Sequence, residues 1–211
     1  MPQGDSLFTP KLAEAFAYAV QLHGTQVRKQ AKEEVEQPGI PYMAHLMAVA
    51  ALVLENGGDE DEAIAALLHD GPEDQGGQRT LDRIRSEFGD RVADIVAGCS
   101  DTLVEDRSKK PEWKARKKAY LRHLEKTESE SVFLISVADK VHNLHSILAD
   151  YRRIGEELWA RFTGKRKGTL WYYRKLLKIY RKKAPPRCTE LVAEMERTYR
   201  ELRRLTEATC R

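Results

Sequence analysis

The chain has 211 residues, of which 41% are hydrophobic and 33% charged. That length fits one domain with its own core, and the apolar content excludes a fully disordered chain. No apolar run approaches the roughly 18 residues of a membrane span. The formal net charge of +3 hides an asymmetry, because residues 1–106 carry a net −12 and residues 107–211 a net +15. An acidic half and a basic half suit a protein that holds a metal cation and a polyanion together. Cys99, Cys188 and Cys210 stand far apart with no CxxC pair, so neither a disulfide framework nor a thiolate zinc site is expected. The N-terminal MPQGDSLFTP lacks the basic and apolar regions of a signal peptide. A reducing cytoplasm is the expected compartment, with no membrane partner.

The pattern is helical nearly throughout, with no period-2 strand pattern of any length. Thr9-Pro10 predicts an N-cap and a first helix ending near Gly24. A polar, Glu-rich loop follows. Pro41 opens a second helix closed by Gly57, and Asp59 with Glu62 forms a capping box for a third, EAIAALLHD, which Gly71-Pro72 stops. QGGQ (75–78) reads as a flexible break. Thr80 and Asp90 each open an amphipathic helix, and Pro111 starts a basic one. Residues 131–148 are apolar on most faces and read as a central buried helix. A short helix around Leu158, a basic loop from Gly164 to Gly168, a helix from Leu170 to Arg181 and the break Ala184-Pro185-Pro186 follow. A last helix spans about Thr189 to Thr206, and its apolar face packs either on its own chain or in a homo-oligomer.

The strongest local signal is His69-Asp70 at the end of an apolar helix, with Glu73 and Asp74 close behind. Crowded carboxylates repel one another, and a divalent cation relieves that repulsion. His45 lies in the middle of an apolar helix, where a lone histidine is more often a packed core residue. Asp139 lies in the most apolar helix, where a carboxylate needs a partner or a metal. Two histidines and two aspartates on a common core make an N/O site suited to Mn²⁺ or Fe²⁺.

His45…His69-Asp70…Asp139 resembles the H…HD…D signature of HD-domain metal-dependent phosphohydrolases. Arg28-Lys29, GIPYMAHLMAVA (39–50), AALLHDGPED (65–74), FGDRVADIVAG (88–98) and ISVADKVHNLHSIL (135–148) resemble, in order, the hydrolase domain of RelA/SpoT-type alarmone enzymes. The resemblance covers roughly residues 10–180 and implies a small alarmone hydrolase, the stand-alone form of that domain. It implies an all-α, HD-domain helical bundle of about 8–10 helices. Residues 1–184 would form the phosphohydrolase domain, with a C-terminal helix (185–211) packed on it.

The resemblance also implies roles. His45, His69, Asp70 and Asp139 would bind one Mn²⁺, which lowers the pKa of a bound water. Glu73 and Asp74 match the family's catalytic acidic pair. Arg28-Lys29 match a pair beside the bound nucleotide, and Asn143, one turn after Asp139, matches an asparagine near the ribose. The reaction would remove the 3′-pyrophosphate from guanosine tetra- or pentaphosphate, giving GDP or GTP and pyrophosphate.

So much phosphate needs flanking cations, and Lys109, Lys110, Arg116, Arg161 and Lys165 are candidates, with Arg161 the preferred one. His23, His123 and His142 have no second ligand at useful spacing and read as structural or surface groups. Trp171-Tyr172-Tyr173 reads as core. The chain departs from the family pattern in its longer acidic loop after Lys29, in His145 and in Gly71-Pro72. An adenosine-based alarmone or the 2′-phosphate of NADPH are alternative substrates for the same fold. A non-catalytic nucleotide- or RNA-binding protein is the alternative of another class. The intact ligand set and the lack of regularly spaced exposed aromatics speak against it, so no nucleic-acid partner is expected.

Overall fold

Thr9 caps the first helix, α1 (Pro10–His23), by accepting from the Lys11 amide at 3.3 Å, and Pro10 opens it at a position that needs no donor. The computed structural model describes residues 6–28 and 39–208, so Lys29 and Cys210 lie outside the described residues. After α1 the chain makes one isolated antiparallel bridge, Val27 with Pro41. Arg28 N donates to Ile40 O at 2.9 Å and Tyr42 N to Gln26 O at 2.8 Å. Pro41 is held in this bridge, so α2 (Met43–Glu55) begins after it instead of at it.

The capping box of Asp59 and Glu62 starts α3 (Glu60–Leu68), whose residues from Glu62 to Leu68 are all buried. This short helix is the centre of the molecule, packed by α1, α2, α6 (Asp90–Cys99) and α8 (Glu130–Ile154). It ends at Leu68, two residues earlier than its sequence pattern suggests. Pro72 has no amide hydrogen to return to Leu68, so the chain turns at Asp70 and restarts at once as a single turn, α4 (Gly71–Asp74). Only Gln75 and Gly76 separate it from α5 (Gly77–Phe88), so QGGQ is a tight turn and not a flexible break. Gly76 and Gly77 have φ of +95° and +58°, and a Cβ on Gly77 would meet the Leu103 carbonyl. Thr80 therefore sits inside α5, its hydroxyl donating to Gln75 O, and does not open it.

The basic helix α7 (Trp113–Lys126) starts two residues past Pro111 and packs on α9 (Lys165–Lys183). The stretch Gly164 to Gly168 is not a loop, since α9 already runs from Lys165. Its glycines make room for an indole: a Cβ on Gly164 would lie 2.7 Å from the Trp113 ring and one on Gly168 3.1 Å from it. The expected short helix around Leu158 is a 3-10 helix, Gly155–Arg161. The last helix, α10 (Thr189–Ala208), lays Leu191, Val192, Met195, Tyr199 and Leu202 on α8 and α9. The chain is all-α, and no described helix is long and apolar enough to cross a membrane.

One buried ion pair ties the end of the chain to its centre. Arg187, just before α10, donates to both oxygens of Glu62, at 2.6 and 3.0 Å, and Glu62 is 1% exposed. Burial would raise the Glu62 carboxyl, but Arg187, helped by Ser131 and the Asp59 backbone, holds it below its ordinary 4.5. Arg187→Met would strand a buried carboxylate at a cost of about 3 kcal/mol, lowering the melting midpoint by roughly 10 °C in calorimetry at neutral pH. The folded-state pKa is lowered, so this contribution is complete above 4.5 and fades as pH falls through the lower folded value. The difference between wild type and variant shrinks over that acid range. A shift under about 2 °C at neutral pH would contradict the assignment.

Candidate metal centre

Three helices deliver four donors to one point. His45 projects from the first turn of α2, His69 and Asp70 from the bend after α3, and Asp139 from the first half of α8. His45, His69 and Asp139 are 1%, 3% and 4% exposed, so none of them is left to water. His45, His69 and Asp70 each present one ligand atom, all within 4.8 Å of one another. Asp139 Oδ1 joins them at 3.3 Å from His45 Nε2 and 3.9 Å from His69 Nε2. The bend forced by Pro72 lets neighbours His69 and Asp70 face the same point, with Nε2 and Oδ2 3.1 Å apart.

The surrounding residues hold the members of this group in place. His69 Nδ1 is 2.7 Å from the Ala66 carbonyl, and the Tyr42 hydroxyl donates to Asp70 Oδ2 at 2.6 Å. Lys140 and Asn143 both donate to the Asp139 carboxylate. The inward atoms His45 Nε2 and His69 Nε2 are buried without a hydrogen-bond partner. Unsatisfied buried nitrogens are costly, and two of them aimed at two carboxylates fit a cation.

The electrostatics agree. Burial opposes charge on His69, yet the Asp70 and Asp139 carboxylates outweigh it and push this imidazole up to about 9. Burial would raise Asp70 and Asp139 too, but the histidines, and Lys140 beside Asp139, hold both below the usual carboxylate range. The pocket demands positive charge, and without a metal it takes a proton.

The acidic pair lies on α4, one turn from Asp70. Glu73 Oε1 accepts from Arg116 Nη1 at 3.2 Å, and Lys110 donates to the Glu73 carbonyl. Arg116 also pairs with the buried Asp101, as does Lys117 at 2.7 Å. Burial raises the Glu73 carboxyl above its ordinary value; Lys117 opposes the rise, and Asp101, Asp70 and Asp74 add to it. Asp74 Oδ2 accepts from Gln26 Nε2 at 2.7 Å. Two residues after Gln26, Arg28 donates to Asn143 Oδ1 at 2.9 Å.

Arg161 is placed elsewhere. Its side chain is 4% exposed and donates to Asp150 Oδ2 at 2.7 Å. Asp150 is eleven residues past Asp139, about 16 Å along the helix axis. Lys109 is 78% exposed and pairs with Asp106, and Lys165 is exposed at the start of α9. Tyr172 and Tyr173 are buried, as a core reading requires. His142 is half-buried beside the donors, its Nδ1 2.8 Å from His45 Nδ1, a contact that the structural-or-surface reading did not specify. Its spacing of three from Asp139, one helical turn, was the available signal. Tyr42, three residues before His45, carries the same signal.

Residues 15–170 match the family model of the HD domain. The chain belongs to the HD-domain family. Curated relatives of this HD domain include a probable guanosine-3′,5′-bis(diphosphate) 3′-pyrophosphohydrolase of Synechocystis, 31% identical over 150 residues, 69% of this chain and 18% of that one. A Mycobacterium leprae probable GTP pyrophosphokinase is 33% identical over 135 residues, 63% of this chain and 15% of that one. The chain thus spans under a fifth of the length of these relatives. Among solved structures, one described as a metazoan ortholog of SpoT that hydrolyzes ppGpp superposes with a TM-score of 0.68 at 22% identity, covering 92% of this chain and 96% of that one. A Listeria monocytogenes crystal structure gives 0.64 at 26% identity, covering 75% and 97%.

Two outcomes test the centre. A cation must displace the His69 proton, so the apparent Mn²⁺ affinity should climb about tenfold per pH unit as pH rises towards about 9. Calorimetry in buffers of different ionisation enthalpy should find close to one proton released at neutral pH, and a pH-independent affinity would contradict this. Separately, Asp139→Ala strands the Lys140 ammonium in the core and should cost about 3 kcal/mol of stability in metal-free protein. Denaturant titration measures that cost, and an unchanged midpoint would contradict it.

Proposed function

We propose that this chain is a divalent-cation-dependent hydrolase that removes the 3′-pyrophosphate of guanosine tetra- and pentaphosphate, yielding GDP or GTP and pyrophosphate. One observation carries the reading. Two unpartnered imidazole nitrogens and two carboxylates converge beside an acidic pair, with Arg28 and Asn143 on the rim. The relatives named for this reaction lend it support.

His45, His69, Asp70 and Asp139 would hold the cation, and the two-imidazole, two-carboxylate set suits Mn²⁺. When bound, the cation supplies an activated water and a Lewis acid at the scissile phosphate. Glu73, raised above its ordinary value by burial, is suited to take a proton from the attacking water and return it to the departing oxygen. Arg116 fixes that carboxyl. Asp74, held by Gln26, acts with it. Arg28 would offer a planar guanidinium to the base, braced by Asn143, which is assigned to the ribose. Lys29, outside the described residues, is proposed as a phosphate contact. Lys110 and Arg116 add positive charge beside Glu73, where charge-assisted contacts to phosphate are strongest.

The test is product analysis by ion-exchange chromatography with Mn²⁺. Guanosine tetraphosphate, its adenosine counterpart and NADPH are offered separately. Wild type should release GDP and pyrophosphate from the first. Asp70→Ala should abolish turnover, and Glu73→Gln should lower kcat by about 10²–10⁴. Turnover of only one of the other two compounds would overturn the substrate. Full activity in Glu73→Gln would overturn the role of the acid.

A further inference from the structure

His45 and His69 differ in what stands behind them. His69 Nδ1 meets a backbone carbonyl, that of Ala66, the ordinary device for fixing a ligand imidazole. His45 Nδ1 instead faces His142 Nδ1 at 2.8 Å, and among the described residues no carbonyl or carboxylate is recorded with it. Only one of those two nitrogens carries the shared hydrogen. Arg28 decides which, because its Nη1 approaches the same His142 nitrogen at 3.3 Å. A guanidinium only donates, so His142 Nδ1 must offer a lone pair, and the hydrogen sits on His45 Nδ1. That leaves His45 Nε2, buried and unpartnered, with its lone pair aimed at Asp70 and Asp139.

We propose that His142 is a positioning residue: it accepts from His45 Nδ1 and from Arg28 together, and so sets the ligand tautomer and the nucleotide-facing guanidinium through one nitrogen. The cation pocket and the rim then share a residue. Asn143, the next residue, holds the other end of Arg28 and donates to Asp139, so this turn of α8 braces both halves of the site. The inference rests on the cation reading of the four donors and is independent of which nucleotide is cleaved.

The test uses metal-free full-length protein and Mn²⁺ alone as the probe, with affinity read by calorimetry. His142→Phe removes the acceptor. His142→Asn keeps an amide oxygen where Nδ1 stood. We expect Phe to weaken Mn²⁺ binding 10–100-fold and Asn to stay within about threefold of wild type. Phe binding as tightly as wild type overturns the proposal, and so do equal losses in both variants. A wild type that binds no Mn²⁺ overturns the cation reading and this inference with it. Should the Phe variant fail to fold, the wild type still decides. Long-range ¹H–¹⁵N correlation spectra with diamagnetic Zn²⁺ must place the ring hydrogen on Nδ1 of His45 and on Nε2 of His142, and the reverse placement overturns the proposal.

Discussion

Two buried carboxylates and two buried imidazoles share one small volume, and that arrangement is stable only with positive charge among them. Asp70 and Asp139 would repel each other across the pocket, and the inward nitrogens of His45 and His69 have no protein donor or acceptor to satisfy them. Much of the surrounding architecture serves to keep these groups there. Tyr42 and Asn143 hold the inward oxygens of Asp70 and Asp139, while Lys140 takes the other Asp139 oxygen and the Ala66 carbonyl faces His69 Nδ1. The helices that carry the donors are fixed by the core, so the ligands cannot relax apart. Charge demand is built into the packing and then left for an ion to meet.

The backbone break at Asp70 converts that pocket into a site with two functions. A continuous helix would aim the adjacent His69 and Asp70 in directions about 100° apart. Pro72 removes one helical hydrogen bond, the chain turns, and α4 sets Glu73 and Asp74 on the same side as the metal donors. The single bridge between Val27 and Pro41 does comparable work, folding Gln26 against Asp74 and Arg28 against α8. Acid pair and guanidinium are thus placed by two local backbone events.

The donors were legible because their chemistry conflicts with their surroundings: His45 in an apolar helix, Asp139 in the most apolar helix, and His69-Asp70 ahead of a proline. The helices were legible from period and caps, such as Thr9-Pro10 and Asp59 with Glu62. What was hidden depended on distant partners. Gly164 and Gly168 look like loop residues until Trp113, some fifty residues away, is placed against them. Arg161 belongs to a basic stretch, yet its partner Asp150 lies in the preceding helix, out of reach of any local charge count. His142 shows no second ligand at useful spacing because the ring nitrogen it meets belongs to a residue 97 positions earlier.

The account stands on four side chains meeting at one cation. A crystal grown with Mn²⁺ and measured on either side of the manganese absorption edge tests this most directly. One anomalous peak per chain should lie within bonding distance of His45 Nε2, His69 Nε2 and an oxygen each of Asp70 and Asp139. A pocket with no anomalous signal, or manganese bound only by the carboxylates of Glu73 and Asp74, would contradict it.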